Sequence, residues 1–314
     1  MKHFPAGLFV TALFAAMLLF PKAVFSGAEE GLLLWFQIIF PTLFPFLVAT
    51  SLLLSSGGLS LIAGIFGGVF RRIFRVSKNG TFAVLSGFLC GYPMGAKVTA
   101  DLLRAGRISQ DEARYLLSFC NNTSPVFIIN FIVWKTFGNE SLMLPGLSIL
   151  IGTPVLLSFA FRKYYLKGRR AFPDPSPALK EKKTCFNFSV LDSCMMNSFE
   201  AIVKVGGYII LFSVLLSLLK ELAGQSPAVM AAAPVLEVTN GILLIRSTVS
   251  DPGLCFAAVL GLTSFGGLCS IAQTQCMLEG TGLSVIPYTI QKLTAAATAS
   301  LLAILYLTLF SPFH

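Results

Sequence analysis

The sequence predicts an all-α integral membrane protein, and three observations support this fold class. Hydrophobic residues make up 55% of the 314 residues and charged residues only 12%, against about 25% charged residues in an ordinary soluble domain. Apolar stretches near the ~20 residues that cross a bilayer recur from end to end. The net charge of +9 is confined to loops and segment ends, which indicates membrane topology rather than binding of nucleic acid.

The N-terminal residues 1–30 are predicted to form a first transmembrane helix rather than a cleaved signal peptide, because no soluble domain follows them. Residues 31–161 are predicted to form the first of two repeats. The apolar segment that opens this repeat contains Pro41 and Pro45. Two prolines in one apolar segment favour a kink or a break over a straight span.

The stretch GFLCGYPMGAKVTADLLRAGRIS, residues 87–109, interrupts the apolar pattern of the first repeat. Gly91 and Gly95 permit unusual dihedral angles or close backbone approach, and Pro93 prevents a continuous helix. We therefore expect a re-entrant helical hairpin here, with a plain interfacial turn as the alternative.

Beyond this hairpin, Ser109 and Glu112 have the spacing of a capping box that starts a polar helix, and two further spans complete the first repeat. Residues 162–184 form a linker with eight basic residues against two acidic ones. The positive-inside rule predicts that this linker is cytoplasmic. Residues 185–314 are predicted to form the second repeat, with segments in the same order.

Comparing the chain with itself supports the two repeats. A shift of 175 residues pairs Gly91 with Gly266 and Thr99 with Thr274. The second glycine-broken segment, near 264–284, is therefore expected to match the first hairpin. Glycine- or proline-interrupted segments at corresponding positions of two inverted repeats indicate a transport site near the bilayer midplane. Backbone at that depth leaves the helix only where protein or a water-lined cavity satisfies its polar groups.

Glu237 is the most suggestive acidic residue, because it is the sole charge between Glu221 and Arg246. Charges inside membrane segments are costly and are usually functional. On a helix, Asn240 and Gly241 would share a face with Glu237. We interpret this group as a solute or proton site, with a structural interhelix hydrogen bond as the alternative.

Several polar residues near the two broken segments complete the candidate site. Lys97 either binds an anion beside a positive helix end or extends to the interface. Asn121, Asn122 and Ser124 precede Pro125, where they either cap a helix or contact the solute. The candidate solute-binding residues are Gly91, Tyr92, Pro93, Gly95, Lys97, Asn121, Asn122, Ser124, Glu237, Asn240, Ser270, Gln273 and Thr274.

Enzymatic chemistry is not expected. The two histidines, His3 and His314, lie at the extreme termini, and the sequence contains no cluster with metal-ligand spacing. The seven cysteines show no Cys-x-x-Cys spacing and are interpreted as small buried apolar residues. We therefore predict no catalytic residues, no bound metal and no cofactor.

Four stretches carry a resemblance to a known family: FPTLFPF, the stretch at 87–109, EARYLLSFCNNTSPVFI and PVLEVTNG. They resemble the sporulation integral membrane proteins of the YlbJ type, in the nucleoside-recognition (Gate) group, which is similar to concentrative nucleoside transporters. The resemblance covers about residues 31–309, and Gly-Tyr-Pro-x-Gly-Ala-Lys is its most specific part. It implies two inverted repeats, each with a re-entrant hairpin, and transport of dipicolinic acid across the outer forespore membrane during endospore formation.

The predicted function is transport or facilitated passage of a small organic anion by alternating access, with dipicolinate as the implied substrate. The alternatives are a non-transporting component of a spore-envelope or signalling complex, and a transporter of nucleosides or other small solutes. The coupling ion is left open between a proton, through Glu237, and sodium, through neutral oxygens near Asn240 or Thr274. The expected partners are the anion and the lipid bilayer but no nucleic acid, and related nucleoside transporters suggest a homo-oligomer.

Overall fold

A computed structural model describes residues 4–56, 58–173, 187–224, 226 and 233–310, and within these ranges all regular structure is helical. A π-helical segment, Trp35–Ile39, joins α2 to α3, and another, Ile128–Phe137, continues α8. The helices are α1 (Phe4–Leu19), α2 (Pro21–Leu34), α3 (Phe40–Ser55), α4 (Gly58–Phe74), α5 (Lys78–Cys90), α6 (Met94–Arg104), α7 (Gln110–Cys120), α8 (Pro125–Phe127), α9 (Met143–Tyr165), α10 (Phe188–Ala223), α11 (Val238–Thr248), α12 (Pro252–Phe265), α13 (Gly267–Met277) and α14 (Val285–Phe310).

Five helical stretches in the described chain are long and apolar enough to cross a membrane, so the predicted all-α integral membrane class is confirmed. A sixth candidate consists of Val10–Leu19 and Pro21–Ile39, which meet at an angle of 101°. The five stretches are Gln110–Phe137, Glu140–Tyr165, Phe188–Ala223, Pro252–Met277 and Val285–Phe310. Residues 174–184 of the predicted basic linker lie outside the described residues.

The predicted break at 87–109 is a helical turn-back. α5 and α6 pack side by side, joined by Gly91, Tyr92 and Pro93. Gly91 has φ +85°, a conformation that L side chains rarely adopt, and the Tyr92–Pro93 peptide is cis. At Gly87, an added Cβ would lie 3.2 Å from the Cα of Gly95, so the two arms are in backbone contact. We call α5–α6 the first hairpin.

The first hairpin packs on an interrupted helix. α7 ends at Cys120, four non-helical residues follow, and the helix resumes at Pro125. Both arms of the hairpin contact α7. The predicted cap at Ser109 is confirmed, since its hydroxyl accepts the Glu112 N–H at 3.2 Å. The Glu112 carboxylate accepts the Ser77 N–H at 2.7 Å and so ties the start of α5 to the start of α7.

The segment near 264–284 differs from the expected second hairpin. α12 and α13 do not pack side by side and together form one candidate span, Pro252–Met277. The interruption at Gly266 (φ +86°) is short, because the Gly266 N–H still bonds to the carbonyl of Leu262 and the next residue is helical again. Gly266 and Gly267 both have positive φ, +86° and +79°, and here the pair interrupts the span without reversing the chain.

The turn-back in the second half lies at Glu237. Helical residues 233–236 precede it and α11 follows it. An added Cβ at Gly241 would lie 2.8 Å from the Cα of Pro234, so the chain folds back on itself at this point. The turn contacts the interruption of the α12–α13 span, since a Cβ at Gly267 would lie 3.2 Å from Val235 O. We call residues 233–248 the second hairpin.

Two glycines of α2 form a close contact with α10. An added Cβ at Gly27 would lie 2.8 Å from Ser213 O, and one at Gly31 would lie 2.8 Å from Ile210 Cα. Small residues four positions apart let two membrane helices approach at backbone distance.

Gly31→Ala is expected to destabilise the α2–α10 contact by about 2 kcal/mol, because the added methyl group meets backbone rather than a flexible side chain. Thermal unfolding of the detergent-purified protein measures this as a lower Tm. Gly7→Ala in α1 is the matched control, since nothing lies within 4 Å of its added Cβ. Equal Tm values for the two variants would contradict the assignment.

Candidate functional site

The two hairpin turns and the two helix interruptions, at residues 121–124 and at Gly266, converge on one cavity. Its walls combine apolar side chains of α3, α8 and α10 with polar groups at the turns and interruptions. Glu237 is the one charged residue among the described residues that line it. The predicted site residues in the lining are Gly91, Tyr92, Ser124, Glu237, Ser270 and Gln273.

The first hairpin contributes its turn to the cavity. The half-buried ring of Tyr92 reaches the interruption at Gly266, because its Cε1 lies 3.5 Å from a Cβ built on Gly266. Ser124 caps α8, its hydroxyl accepting the Phe127 N–H at 3.2 Å, as the capping alternative predicted. The neighbouring Thr123 hydroxyl donates to the Thr263 carbonyl at 3.1 Å and joins the two interruptions directly.

Glu237 lies at the turn of the second hairpin and is only 3% exposed. Its carboxylate accepts the N–H groups of Thr239 (3.0 Å) and Asn240 (2.8 Å) and so caps α11. A carboxylate at a helix N-terminus is stabilised by the helix dipole and by otherwise unpaired N–H groups. Glu237 is therefore a buried carboxyl group that faces the cavity and is held by backbone N–H groups.

The expectation that Glu237 and Asn240 share a helix face is wrong. Glu237 has extended backbone angles, φ −138° and ψ 127°, because it precedes α11 rather than belonging to it. The Asn240 side chain donates to the Ser213 hydroxyl of α10 at 3.3 Å, away from the cavity lining. Asn240 therefore joins the second hairpin to α10.

Ser270 and Gln273 of α13 supply neutral polar groups to the cavity. The Ser270 hydroxyl donates to the Gly267 carbonyl at 3.0 Å, and the Gln273 amide donates to the Cys269 sulfur at 3.2 Å. A thiol is a weak acceptor, so the Gln273 amide retains capacity to hydrogen-bond a solute.

Asn121 lies behind the cavity wall, in a network that joins four elements. Its side-chain oxygen accepts the Ala96 N–H of α6 at 3.2 Å. Its amide nitrogen donates to the Thr274 hydroxyl at 3.0 Å and to the Tyr288 hydroxyl at 2.8 Å. Asn121 is 1% exposed, and Thr274 is fully buried. These two predicted site residues therefore connect the two halves of the protein rather than line the cavity.

Lys292 belongs to the same network and was missed by the sequence reasoning. It lies on α14, is 3% exposed, and its ammonium donates to the Asn121 carbonyl at 3.1 Å. The available signal was a lysine directly before a long apolar run, residues 293–310. The helix in fact begins at Val285, which places Lys292 within the candidate span.

Lys97 lines a second space, which we call the charged cleft. The cleft is also lined by Asp101, Arg104, Glu200 and Lys204. The Lys97 ammonium lies 2.8 Å from the Asp101 carboxylate, which also pairs with Arg104 at 2.9 Å. Across the cleft, Lys204 pairs with Glu200 at 2.6 Å. Lys97 therefore does not line the cavity, and its ammonium is paired with the Asp101 carboxylate.

The charged cleft continues from the cavity along shared helices. On α10 the cavity is lined by Val205 and Ile209. Earlier on the same helix, the cleft is lined by Cys194, Asn197, Glu200, Ala201 and Lys204. At the interruption and on α13, the cavity is lined by Gly266, Cys269, Ser270 and Gln273. One turn further along α13, the cleft is lined by Cys276 and Met277. The cleft therefore lies at one end of the cavity.

The remaining predicted site residues support the backbone around the turns. Pro93 precedes α6 and is buried. Gly95 lies against α7, since an added Cβ would lie 2.8 Å from the Cys120 carbonyl carbon. Asn122 is half-buried, and its amide donates to the Phe119 carbonyl at 2.5 Å.

Comparisons with known proteins give a family match and a similar curated protein. Residues 36–139 match the family model described as nucleoside recognition (Gate), a range that includes the first hairpin and the first interruption. The chain is 27% identical over 343 residues to the sporulation integral membrane protein YlbJ of Bacillus subtilis (strain 168), covering 98% of this chain and 83% of that protein. No solved structure matches the chain significantly. The protein is therefore an integral membrane protein that is similar to YlbJ along nearly its whole length, and its residues 36–139 resemble the nucleoside-recognition (Gate) family.

Proposed function

We propose that the protein carries a small organic solute across the membrane by alternating access, with dipicolinate as the first candidate substrate. The observation that supports this function is the convergence of two hairpin turns and two helix interruptions on one cavity. Interrupted helices at membrane depth free backbone groups for a solute, and turns that close on them can act as gates.

The cavity provides the contacts that a small planar solute needs. The rings of Tyr92 and Phe127 supply flat apolar surface, while Ser270 and Gln273 supply polar groups. The charged cleft at one end gives a solvent-facing approach lined by basic and acidic side chains.

Glu237 distinguishes the two solute classes that we consider. A dianion such as dipicolinate is repelled by a carboxylate in the same cavity, so it binds best when Glu237 is neutral. A nucleoside has ribose hydroxyls that donate hydrogen bonds, so it benefits from an ionised Glu237. The match to a nucleoside-recognition family and the neutral polar groups of the cavity favour a nucleoside as the second candidate.

The direct test is uptake of labelled dipicolinate and of labelled nucleosides into proteoliposomes, with wild type and Glu237→Gln. For a dipicolinate transporter we expect Glu237→Gln to keep or increase uptake, and for a nucleoside transporter to lower uptake by about tenfold. Asp251→Asn is the matched control, because Asp251 caps α12 through Leu254 N–H at an exposed position outside the cavity lining. A folded wild-type protein that takes up neither class would contradict the proposal.

We propose a matching cellular role in the outer forespore membrane of a sporulating bacterium, which the similarity to the sporulation integral membrane protein YlbJ supports. Loss of a dipicolinate transporter leaves spores poor in dipicolinate while its synthesis continues in the mother cell. A non-transporting component of the spore envelope would instead produce envelope defects before dipicolinate accumulates. The dipicolinate content of spores from a deletion strain separates these two roles.

A further inference from the structure

Among the described residues, Lys292 is the one lysine buried inside a candidate span, and the proposed transport function makes no use of it. Its side chain is 3% exposed, and among the described residues its nitrogen donates to one acceptor, the carbonyl of Asn121. No carboxylate of the described residues forms an ion pair with it. The other lysines near the cavity differ, since Lys97 and Lys204 each pair with a carboxylate beside the charged cleft.

A buried ammonium without a carboxylate is costly in a membrane protein, and such residues are usually kept for function. A leucine or methionine would fill the same position in α14 without this cost. The cost is offset only if the positive charge meets a local excess of negative potential. The surroundings of Lys292 therefore need to be partly negative.

The contact of Lys292 supplies this potential. Asn121 is the first residue after α7, so its carbonyl lies at the C-terminal end of that helix. The last carbonyls of a helix carry partial negative charge and lack partners within the helix. The interruption at 121–124 adds further carbonyls that no continuous helix satisfies. An ammonium at this position neutralises the partial negative charge of a buried helix end.

The hydrogen-bond network around the interruption links Lys292 to the first hairpin and to α13. The side chain of Asn121 contacts Ala96 of the first hairpin, Thr274 of α13 and Tyr288 of α14. Tyr288 lies one helical turn before Lys292 on the same helix. A positive charge on Lys292, next to the Asn121 carbonyl, therefore affects the interruption at residues 121–124. This interruption supports the turn of the first hairpin and the contact between the two halves of the protein.

We propose that the ammonium of Lys292 is a built-in cation, which performs at the interruption of α7 the role that a bound monovalent metal ion would otherwise perform. It neutralises the C-terminal end of α7 and holds the interruption in a shape that supports the first hairpin. Solute uptake then needs no external sodium ion at this position. This inference rests on the proposed transport function, while its structural part is tested independently of uptake.

The first experiment compares purified wild type, Lys292→Ala and the exposed-lysine control Lys204→Ala by thermal unfolding, with and without n-propylammonium. This ion has the three carbons and the ammonium that Lys292→Ala removes. We expect a lower Tm for Lys292→Ala, restored in part by n-propylammonium, and no such response in the control. A Lys292→Met variant with the wild-type Tm would overturn the inference, since it would show that the charge is dispensable.

The second experiment measures uptake in proteoliposomes in sodium buffer and in N-methylglucamine buffer of equal ionic strength. Wild type is expected to transport equally in both, and Lys292→Ala to lose about tenfold and to recover with n-propylammonium. A wild-type protein that needs sodium, or folded Lys292→Met with full uptake, would overturn the inference. If wild type shows no uptake at all, the proposed function fails, and the Tm experiment still tests the built-in cation.

Discussion

Gly95→Ala is expected to separate the first hairpin from α7 and to abolish solute uptake. The added Cβ would overlap the carbonyl oxygen of Cys120 and would lie 2.9 Å from the Cα of Asn121. These are backbone atoms, so no side-chain rotation relieves the contact. Overpacking of this kind costs about 3 kcal/mol, which exceeds the ~1 kcal/mol that alanine gains over glycine in a helix.

The measurement is Tm together with uptake, and Gly207→Ala is the matched control. Gly207 also lies inside a helix, α10, and nothing is within 4 Å of its added Cβ. Because alanine favours the helix at both positions, the difference between the variants isolates the contact with α7. Wild-type stability of Gly95→Ala would show that the hairpin does not rest on Cys120.

Asn121→Ala is expected to have the second largest effect, because one side chain serves three partners. Its removal leaves the buried Ala96 N–H without an acceptor and takes a partner from Thr274 and from Tyr288. Each buried polar group left unpaired costs about 1–3 kcal/mol, so we expect a total loss of about 3 kcal/mol.

The neighbouring Asn122→Ala is the control for this experiment. Asn122 has the same side chain but donates only to Phe119 within its own turn, and it is half-buried. We expect a loss of about 1 kcal/mol for it. Measuring Tm and uptake for both variants distinguishes loss of the Asn121 network from a general effect of any substitution at the interruption. Equal losses in the two variants would show that the network does not contribute to stability or uptake.

The first hairpin illustrates what local sequence can predict. Gly91 and Pro93 indicated a helix break because their backbone preferences are intrinsic, and the structure places a turn at these residues. The same logic was wrong for the partner segment. Gly266 has the same positive φ, but its turn only interrupts α12–α13, and the chain reverses at Glu237 instead. One glycine does not reveal whether a helix resumes or folds back, since the packing of the following segment decides this.

Glu237 and Lys292 show the same limit for charged groups. The position of Glu237 within an apolar run indicated a functional carboxylate, and the structure places it in the cavity lining. The sequence did not reveal that Glu237 caps α11 or that the Asn240 side chain contacts α10 instead. Both depend on the residue at which α11 begins. Lys292 was missed because apolar runs place helix ends only to within a few residues.

The sequence by itself determined the all-α membrane class, the interruption near Gly91 and the cap at Ser109, because composition, backbone preference and capping act within a few residues. The tertiary structure decided which polar groups meet. Asn121 contacts Thr274, Tyr288 and Lys292, all more than 150 residues away. Such contacts depend on how α7, α13 and α14 pack, and no local pattern in the chain encodes that packing.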